Sequence, residues 1–183
     1  MIEIRWLGRG GQGSFTAAKL LGMAASIYED KYVLAFPSFG PERRGAPVSG
    51  FTRISSSKIT DRSEPDSCDY LVILDETLWN DELRNFVKTD STIIINSSES
   101  DKYITSDCGK TVTIDATKLA LEYLGIPITN TALLGALIAI SQVVKTESCI
   151  KSIENSMSGK IAEKNINLFT AAFEFVSRRY GNE

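Results

Sequence analysis

The sequence predicts an α/β domain of three layers built on a mainly parallel sheet. Two near-continuous apolar runs, at 70–74 and 92–96, have the composition of strands buried on both faces. Stretches of helical spacing alternate with such runs along the chain, the order expected of a sheet with helices packed against it. The first apolar run, 2–7, ends in Gly8-Arg9-Gly10-Gly11-Gln12-Gly13 and is followed at once by a helical pattern, a strand–turn–helix unit.

Taken in order, residues 2–7 read as a first strand and 14–28 as a helix. In that helix Ala17, Ala18, Leu20, Leu21, Ala24, Ala25 and Tyr28 recur on one face, and Ser14 or Thr16 is the expected cap. Asp30-Lys31 makes a turn and 31–36 a second strand. Residues 37–47 form a loop held by three prolines and two glycines. The alternation over 48–54 predicts a strand with one polar face, which suits a sheet edge, and 58–62 extends it after a turn at Ser55-Ser56-Ser57. After the strand at 70–74, residues 80–87 read as a short helix, 92–96 and 111–114 as strands, and 117–124 as a helix stopped by Gly125 and Pro127. A long apolar helix over 131–144 and two amphipathic helices, 147–157 and 164–180, complete the chain. At 183 residues, with no repeat, low-complexity tract or linker, the whole is expected to be a single domain, 1–183.

Bulk properties narrow the functional classes. Hydrophobic residues make up 43% and charged residues 23%, with a net charge of −3, so neither nucleic acid nor an anionic membrane is an expected partner. No apolar run reaches the roughly 18–20 residues of a membrane span. Met1-Ile2-Glu3-Ile4-Arg5-Trp6 is a strand pattern without the charged region and apolar core of a signal peptide, which places the chain in the cytoplasm. Three cysteines, Cys68, Cys108 and Cys149, stand about forty residues apart, a spacing that argues against a disulfide framework and against a sequence-local metal or cluster motif. There is no histidine, so the commonest general base and metal ligand are missing. No catalytic and no metal-ligating residue is assigned, and the chain is expected to position groups, not to transfer protons.

Two loops carry the functional signal. The run Gly8-Arg9-Gly10-Gly11-Gln12-Gly13 has the G-x-G-x-x-G spacing, in which glycines allow positive φ and let an anion approach a helix N-terminus. A dinucleotide site also needs an acidic residue at the end of the second strand. That strand ends in Ala35-Phe36-Pro37-Ser38, and Glu29 and Asp30 precede it. The turn is therefore a ligand-free tight turn, a phosphate or pyrophosphate contact, or an interface; NAD or FAD is the weaker reading, and a Walker A loop is excluded because G-K-[ST] is absent. In the second loop, Gly40-Pro41-Glu42-Arg43-Arg44-Gly45, two guanidinium forks suited to phosphate or carboxylate sit between glycine and proline. They either bind such a group, pair with acids such as Glu42, or are buried with Phe36, Phe39, Ala46, Pro47 and Val48 against a partner subunit. Should both loops lie on one sheet edge, they form a single anion-binding mouth. Asp75-Glu76-Thr77 lies at the carboxyl end of a strand, where open α/β sheets place ligands, but it and Ile128-Thr129-Asn130-Thr131 read first as helix caps; Asn130 and Thr131 gain interest if their helix starts at that mouth.

At these residues the sequence resembles a known family. Ile4-Arg5-Trp6, the glycine run and the Thr-Ala-Ala helix after it are similar to the start of the gamma subunit of 2-oxoacid:ferredoxin oxidoreductases. Residues 35–47 resemble that family's second signature; Arg53-Ile54, Asp75-Glu76-Thr77-Leu78 and Asn130-Thr131-x-x-Leu134-Gly135-Ala136 follow in order, so the resemblance covers about residues 2–140. It implies a Rossmann-like fold and a role in an enzyme that converts a 2-oxoacid, of pyruvate or ketoisovalerate type, and coenzyme A to acyl-CoA and CO2 while reducing ferredoxin. Thiamine diphosphate and iron–sulfur clusters would belong to alpha, beta and delta-type partner subunits, leaving this chain with no cofactor of its own, inactive alone, and meeting ferredoxin only indirectly. Coenzyme A would be a shared substrate, with Gly8, Arg9, Gly10, Gly11, Gln12, Gly13, Arg43, Arg44, Gly45, Asn130 and Thr131 as the residues facing it or a partner. Isolated, the chain is expected to dimerise or to show a disordered arginine loop. A stand-alone dinucleotide- or phosphate-binding α/β module is the alternative.

Overall fold

A computed structural model describes residues 1–39, 45–103 and 109–181 of the chain. Six strands form one sheet in the order β2-β3-β1-β4-β5-β6. The strands are β1 (Ile2–Arg9), β2 (Tyr32–Phe39), β3 (Pro47–Ser55), β4 (Cys68–Ile73), β5 (Val87–Asn96) and β6 (Lys110–Ile114). The helices are α1 (Ser14–Glu29), α2 (Ala116–Leu124), α3 (Asn130–Ser141), α4 (Thr146–Ser156) and α5 (Gly159–Tyr180).

The expected mainly parallel sheet is present from β1 through β4, β5 and β6, which pair in parallel. β3 is the exception: it runs antiparallel to both β1 and β2. The strand expected at a sheet edge therefore lies inside the sheet. Its polar residues are tolerated there because each finds a partner. Arg53, 2% exposed, pairs with Glu3 at 2.9 Å and Asp61 at 3.5 Å. Thr52 Oγ1 accepts from Trp6 Nε1 at 3.2 Å and donates to Ala18 O at 3.0 Å, so one hydroxyl joins β1, β3 and α1. Neither does 58–62 extend β3, for it forms no strand. The short helix expected at 80–87 is a 3₁₀ segment, Asp81–Phe86, capped by Asn80, whose Oδ1 accepts from Leu83 N; six residues are too few to nucleate an α-helix unaided.

One face of the sheet packs against all five α-helices around Ile4, Trp6, Val72, Leu74, Ile94 and Val112. The other face carries Leu7, Leu71, Ile73, Ile93 and Ile95 beneath the 3₁₀ segments, through Leu78, Leu83 and Tyr103. The result is a three-layer α/β fold whose second outer layer is thin.

Helix α3 is the centre of the helical layer. Ten of its twelve residues are buried, which explains its apolar sequence. It ends at Ser141, earlier than the periodicity predicts, because Gln142 takes a left-handed conformation at φ 47°. Its closest neighbour is α5, which begins at Gly159, ahead of the expected start. Gly135 lets the two backbones touch: a β-carbon there would lie 2.3 Å from Phe169 O. The Gly135→Ala variant is expected to lose about 1–3 kcal/mol of stability, read as a lower urea midpoint, because backbone and not a flexible side chain must yield.

Candidate functional site

The parallel strands β1, β4 and β5 end at one sheet edge, the position where open α/β sheets bind ligands. The β2–β3 connection returns to the same edge, because Arg9 at the end of β1 lies opposite Pro47 at the start of β3. The two signal-bearing loops are in direct contact. Gly10 N donates to Ala46 O at 3.1 Å, and Arg9 Nη1 donates to Gly45 O at 2.9 Å. Arg43 and Arg44 lie outside the described residues.

The glycine turn is latched by Asp75, just past β4. Oδ2 of Asp75 accepts from Arg9 Nε at 3.1 Å and from Gln12 Nε2 at 3.0 Å. Its Oδ1 accepts from Thr77 N at 3.0 Å and from the Thr77 hydroxyl at 2.5 Å. Arg9 Nη2 also donates to Thr77 Oγ1 at 2.7 Å, and Gln12 Oε1 accepts from Arg9 N at 2.7 Å. The side chains of Arg9 and Gln12 are thus committed to shaping the turn, as are the backbone N–H groups of Arg9, Gly10 and Gln12, which donate to Gln12 Oε1, Ala46 O and Arg9 O. Asp75 does cap the following 3₁₀ segment, Glu76–Leu78, as its sequence suggests. The latch itself joins positions more than sixty residues apart and has no local sequence signal.

Burial pushes the Asp75 carboxyl up, but hydrogen bonds from Thr77 and Gln12 and the charge of Arg9 outweigh it and hold it below its ordinary value. Hydrogen bonds from Ser97 and Tyr103, at 2.6 Å each, do the same for Glu76. A depressed carboxylate stabilises the folded state above its unfolded pKa, and that stabilisation is lost as pH falls through the folded value.

The helix starts supply the other wall. Gly13, at φ 86°, caps α1 with no side chain, so the N–H groups of the first turn of α1 have no side-chain acceptor. The start of α3 abuts the turn: a β-carbon on Gly13 would lie 2.5 Å from Asn130 Nδ2. Asn130 is 5% exposed; its Oδ1 accepts from Thr131 N at 2.8 Å, and among the described residues its Nδ2 makes no hydrogen bond. Beneath the turn the Ser14 hydroxyl is sealed and without a partner. The uncapped start of α1 and the Asn130 amide thus meet at the glycine turn, a donor set suited to an anion. Thr131 points elsewhere, donating to Asn165 Oδ1 at 2.8 Å between α3 and α5. Asn165, whose Nδ2 donates to Ile161 O, had no sequence signal beyond its place in an amphipathic stripe. The Thr129 side chain makes no capping hydrogen bond to α3.

Beyond Asp75 opens a cleft of about 460 Å³, reaching Asn96, Asp115, Thr117 and Thr129. Asp75, Glu76 and Asp115 line it, and among the described residues no lysine or arginine does. The described cysteines, Cys68 and Cys149, are buried in the cores on opposite faces of the sheet and cannot ligate one cluster together; burial pushes each thiol up to about 12.

The fold is that of a protein class already known: residues 3–175 match the pyruvate ferredoxin/flavodoxin oxidoreductase family, and the chain belongs to it. The match extends the sequence resemblance, which ended near residue 140, into α5. Among full-length relatives, the chain is 45% identical over 183 residues to pyruvate synthase subunit PorC of Methanocaldococcus jannaschii, covering 99% of this chain and 100% of that one. It is also 45% identical over 179 residues to the pyruvate/ketoisovalerate oxidoreductases common subunit gamma of Pyrococcus abyssi, covering 95% and 96%. The crystal structure of pyruvate oxidoreductase subunit PORC from Thermotoga maritima superposes with a TM-score of 0.84 at 32% identity, over 94% of this chain and 95% of that one. The same fold recurs within the 2-oxoglutarate:ferredoxin oxidoreductase of Magnetococcus marinus, whose structure has 2-oxoglutarate, coenzyme A and succinyl-CoA bound. There the TM-score is 0.80 at 17% identity, over 97% of this chain and 31% of that one.

Asp75→Asn is expected to lower stability at pH 7 by about 1–2 kcal/mol through weakened charge-assisted bonds. It should also flatten the loss of stability that the parent shows as pH falls below the ordinary carboxylate value of 3.8. Urea melts of both proteins from pH 7 down to pH 3 measure the two effects.

Proposed function

We propose that this chain is the gamma subunit of a 2-oxoacid:ferredoxin oxidoreductase of the pyruvate or ketoisovalerate type. The whole enzyme converts a 2-oxoacid and coenzyme A to acyl-CoA and CO2 and reduces ferredoxin. The names of the full-length relatives support the subunit assignment. In this reading the chain forms one domain, works in the cytoplasm with alpha, beta and delta-type subunits, and is inactive alone. Thiamine diphosphate and iron–sulfur clusters, held by those partners, supply the carbon and electron chemistry.

The contribution of this chain is to bind and orient coenzyme A. The observation that carries this is the unpartnered Asn130 amide against the uncapped start of α1. A phosphoryl group fits that donor set: its charge is favoured at the helix N-terminus, and its oxygens accept from backbone N–H groups and from Asn130 Nδ2. Gly10, Gly11 and Gly13 keep side chains out of its approach, and Gly8 with the Arg9–Gln12–Asp75 latch holds the turn in shape. Arg43 and Arg44 are proposed to complete the charge on the phosphates or to seat a partner subunit. Neutralising phosphate charge with fixed donors lowers KM without entering the chemical step.

Gentle anaerobic purification of the tagged chain from its native cell tests the assembly: iron and thiamine diphosphate in a complex several times its mass are expected. A lone, iron-free chain or homodimer, stabilised by a dinucleotide, would replace this reading with the stand-alone binding module. Within the assembled enzyme, Asn130→Ala is expected to raise KM for coenzyme A about tenfold with kcat little changed. An unchanged KM would reduce Asn130 to a helix-start residue. For Arg43→Ala with Arg44→Ala, a raised KM places the pair at the phosphates, and loss of assembly at normal KM places it at the interface.

A further inference from the structure

On the face of the sheet away from the α-helices, Arg5 is a cation held in place without a counter-ion among the described residues. It stands on β1 opposite Phe51 of β3, and Phe51 stands opposite Phe36 of β2. The Phe36 and Phe51 rings stack with centroids 5.2 Å apart. The Arg5 guanidinium lies 5.5 Å from the Phe51 ring centre and 4.2 Å from that of Phe86. Its Nε donates to Ser49 Oγ at 3.3 Å. No ion pair with Arg5 is formed among the described residues.

The contrast with its neighbours is informative. Arg53, in the same face of the sheet, has Glu3 and Asp61; Arg9 has Asp75; Arg84 has Asp81; Arg178 has Glu174. Arg5 has aromatic rings where these have carboxylates. Glu64 acts on it through space only, and burial pulls its pKa below the ordinary arginine value. The Arg5 side chain is half-buried, and among the described residues its terminal guanidinium nitrogens make no hydrogen bond. A guanidinium already fixed by two rings loses little freedom when its fork closes on a carboxylate. Leu34 and Phe36, half-buried on the adjacent strand, give the same face an apolar flank. Arginine beside aromatic anchors is the composition of an interface hot spot.

We infer that the β2-β3-β1 face is a docking surface for a partner subunit of the same complex, which places one Asp or Glu carboxylate on the Arg5 fork and an apolar side chain on Phe36 and Leu34. Three clefts among the described residues lie away from Arg5. A phosphate dianion would meet the nearby Glu3 and Glu64, whereas a single carboxylate matches a single unpaired guanidinium. The inference rests on the subunit reading above, and the test separates the two.

The labelled chain is titrated with the remaining subunits of its complex, and Kd is measured across a salt series for the parent, Arg5→Gln, Arg5→Lys and the exposed-site control Lys19→Gln. Arg5→Gln is expected to weaken binding about tenfold or more and to lessen its salt dependence. Arg5→Lys, which keeps the charge but loses the fork, should fall between, and the control should match the parent. Should Arg5→Gln fail to fold, a photo-crosslinking residue at Leu34, with Arg5 intact, is expected to capture a partner segment with Asp or Glu within a few positions. Unchanged Kd in a folded Arg5→Gln variant, or no partner crosslink from Leu34, overturns the docking surface while the subunit reading stands. A parent chain that binds none of the subunits overturns both.

Discussion

The carboxylate of Asp75 is the fixed point of the functional edge. It takes donors from Arg9 and Gln12 on one side and from Thr77 on the other, and so ties the end of β1 to the end of β4. Because Arg9 also reaches Gly45, the β2–β3 connection is held to the same point. A glycine turn left to itself would sample many conformations, since glycine carries the largest backbone entropy. Here several charge-assisted bonds remove that freedom, and the N–H groups of Arg9, Gly10 and Gln12 are themselves taken by Gln12, Ala46 and Arg9. An arginine and a glutamine that read from sequence as ligand contacts act as scaffolding.

The second constraint is the buried start of α3. This helix is apolar nearly all round because α5 and the sheet enclose it, and close contact at Gly135 sets how far it lies from α5. Its N-terminus is carried to Gly13 by that packing. The Thr131–Asn165 bond fixes its rotation, so that Asn130 and not Thr131 meets the turn. The position of one amide nitrogen at the site thus follows from helix packing far from it.

Charge is distributed unevenly along the edge. The glycine turn carries the uncapped start of α1 and the Asn130 amide, while the adjacent cleft presents Asp75, Glu76 and Asp115. On the opposite flank, Arg5 shows that a cation can be preorganised by aromatic rings instead of acids. A sheet face without an α-helical cover leaves room for such an arrangement.

The sequence by itself determined the α/β class, nearly every element, the glycine turn and the family, because strand and helix periods and loop glycines are local properties. It misjudged β3, whose polar face resembles an edge strand until Glu3, Asp61 and Trp6 are brought to it from elsewhere in the chain. It also overestimated the helix at 80–87 and the strand at 58–62, where local propensity met no packing surface to extend it. Only the tertiary structure decided which of the suspected site residues face outward. Arg9 and Gln12 were claimed by Asp75, Thr131 by Asn165, and Asn130 was left with a free amide. Those outcomes depend on pairings across tens of residues, which the order of the chain does not record.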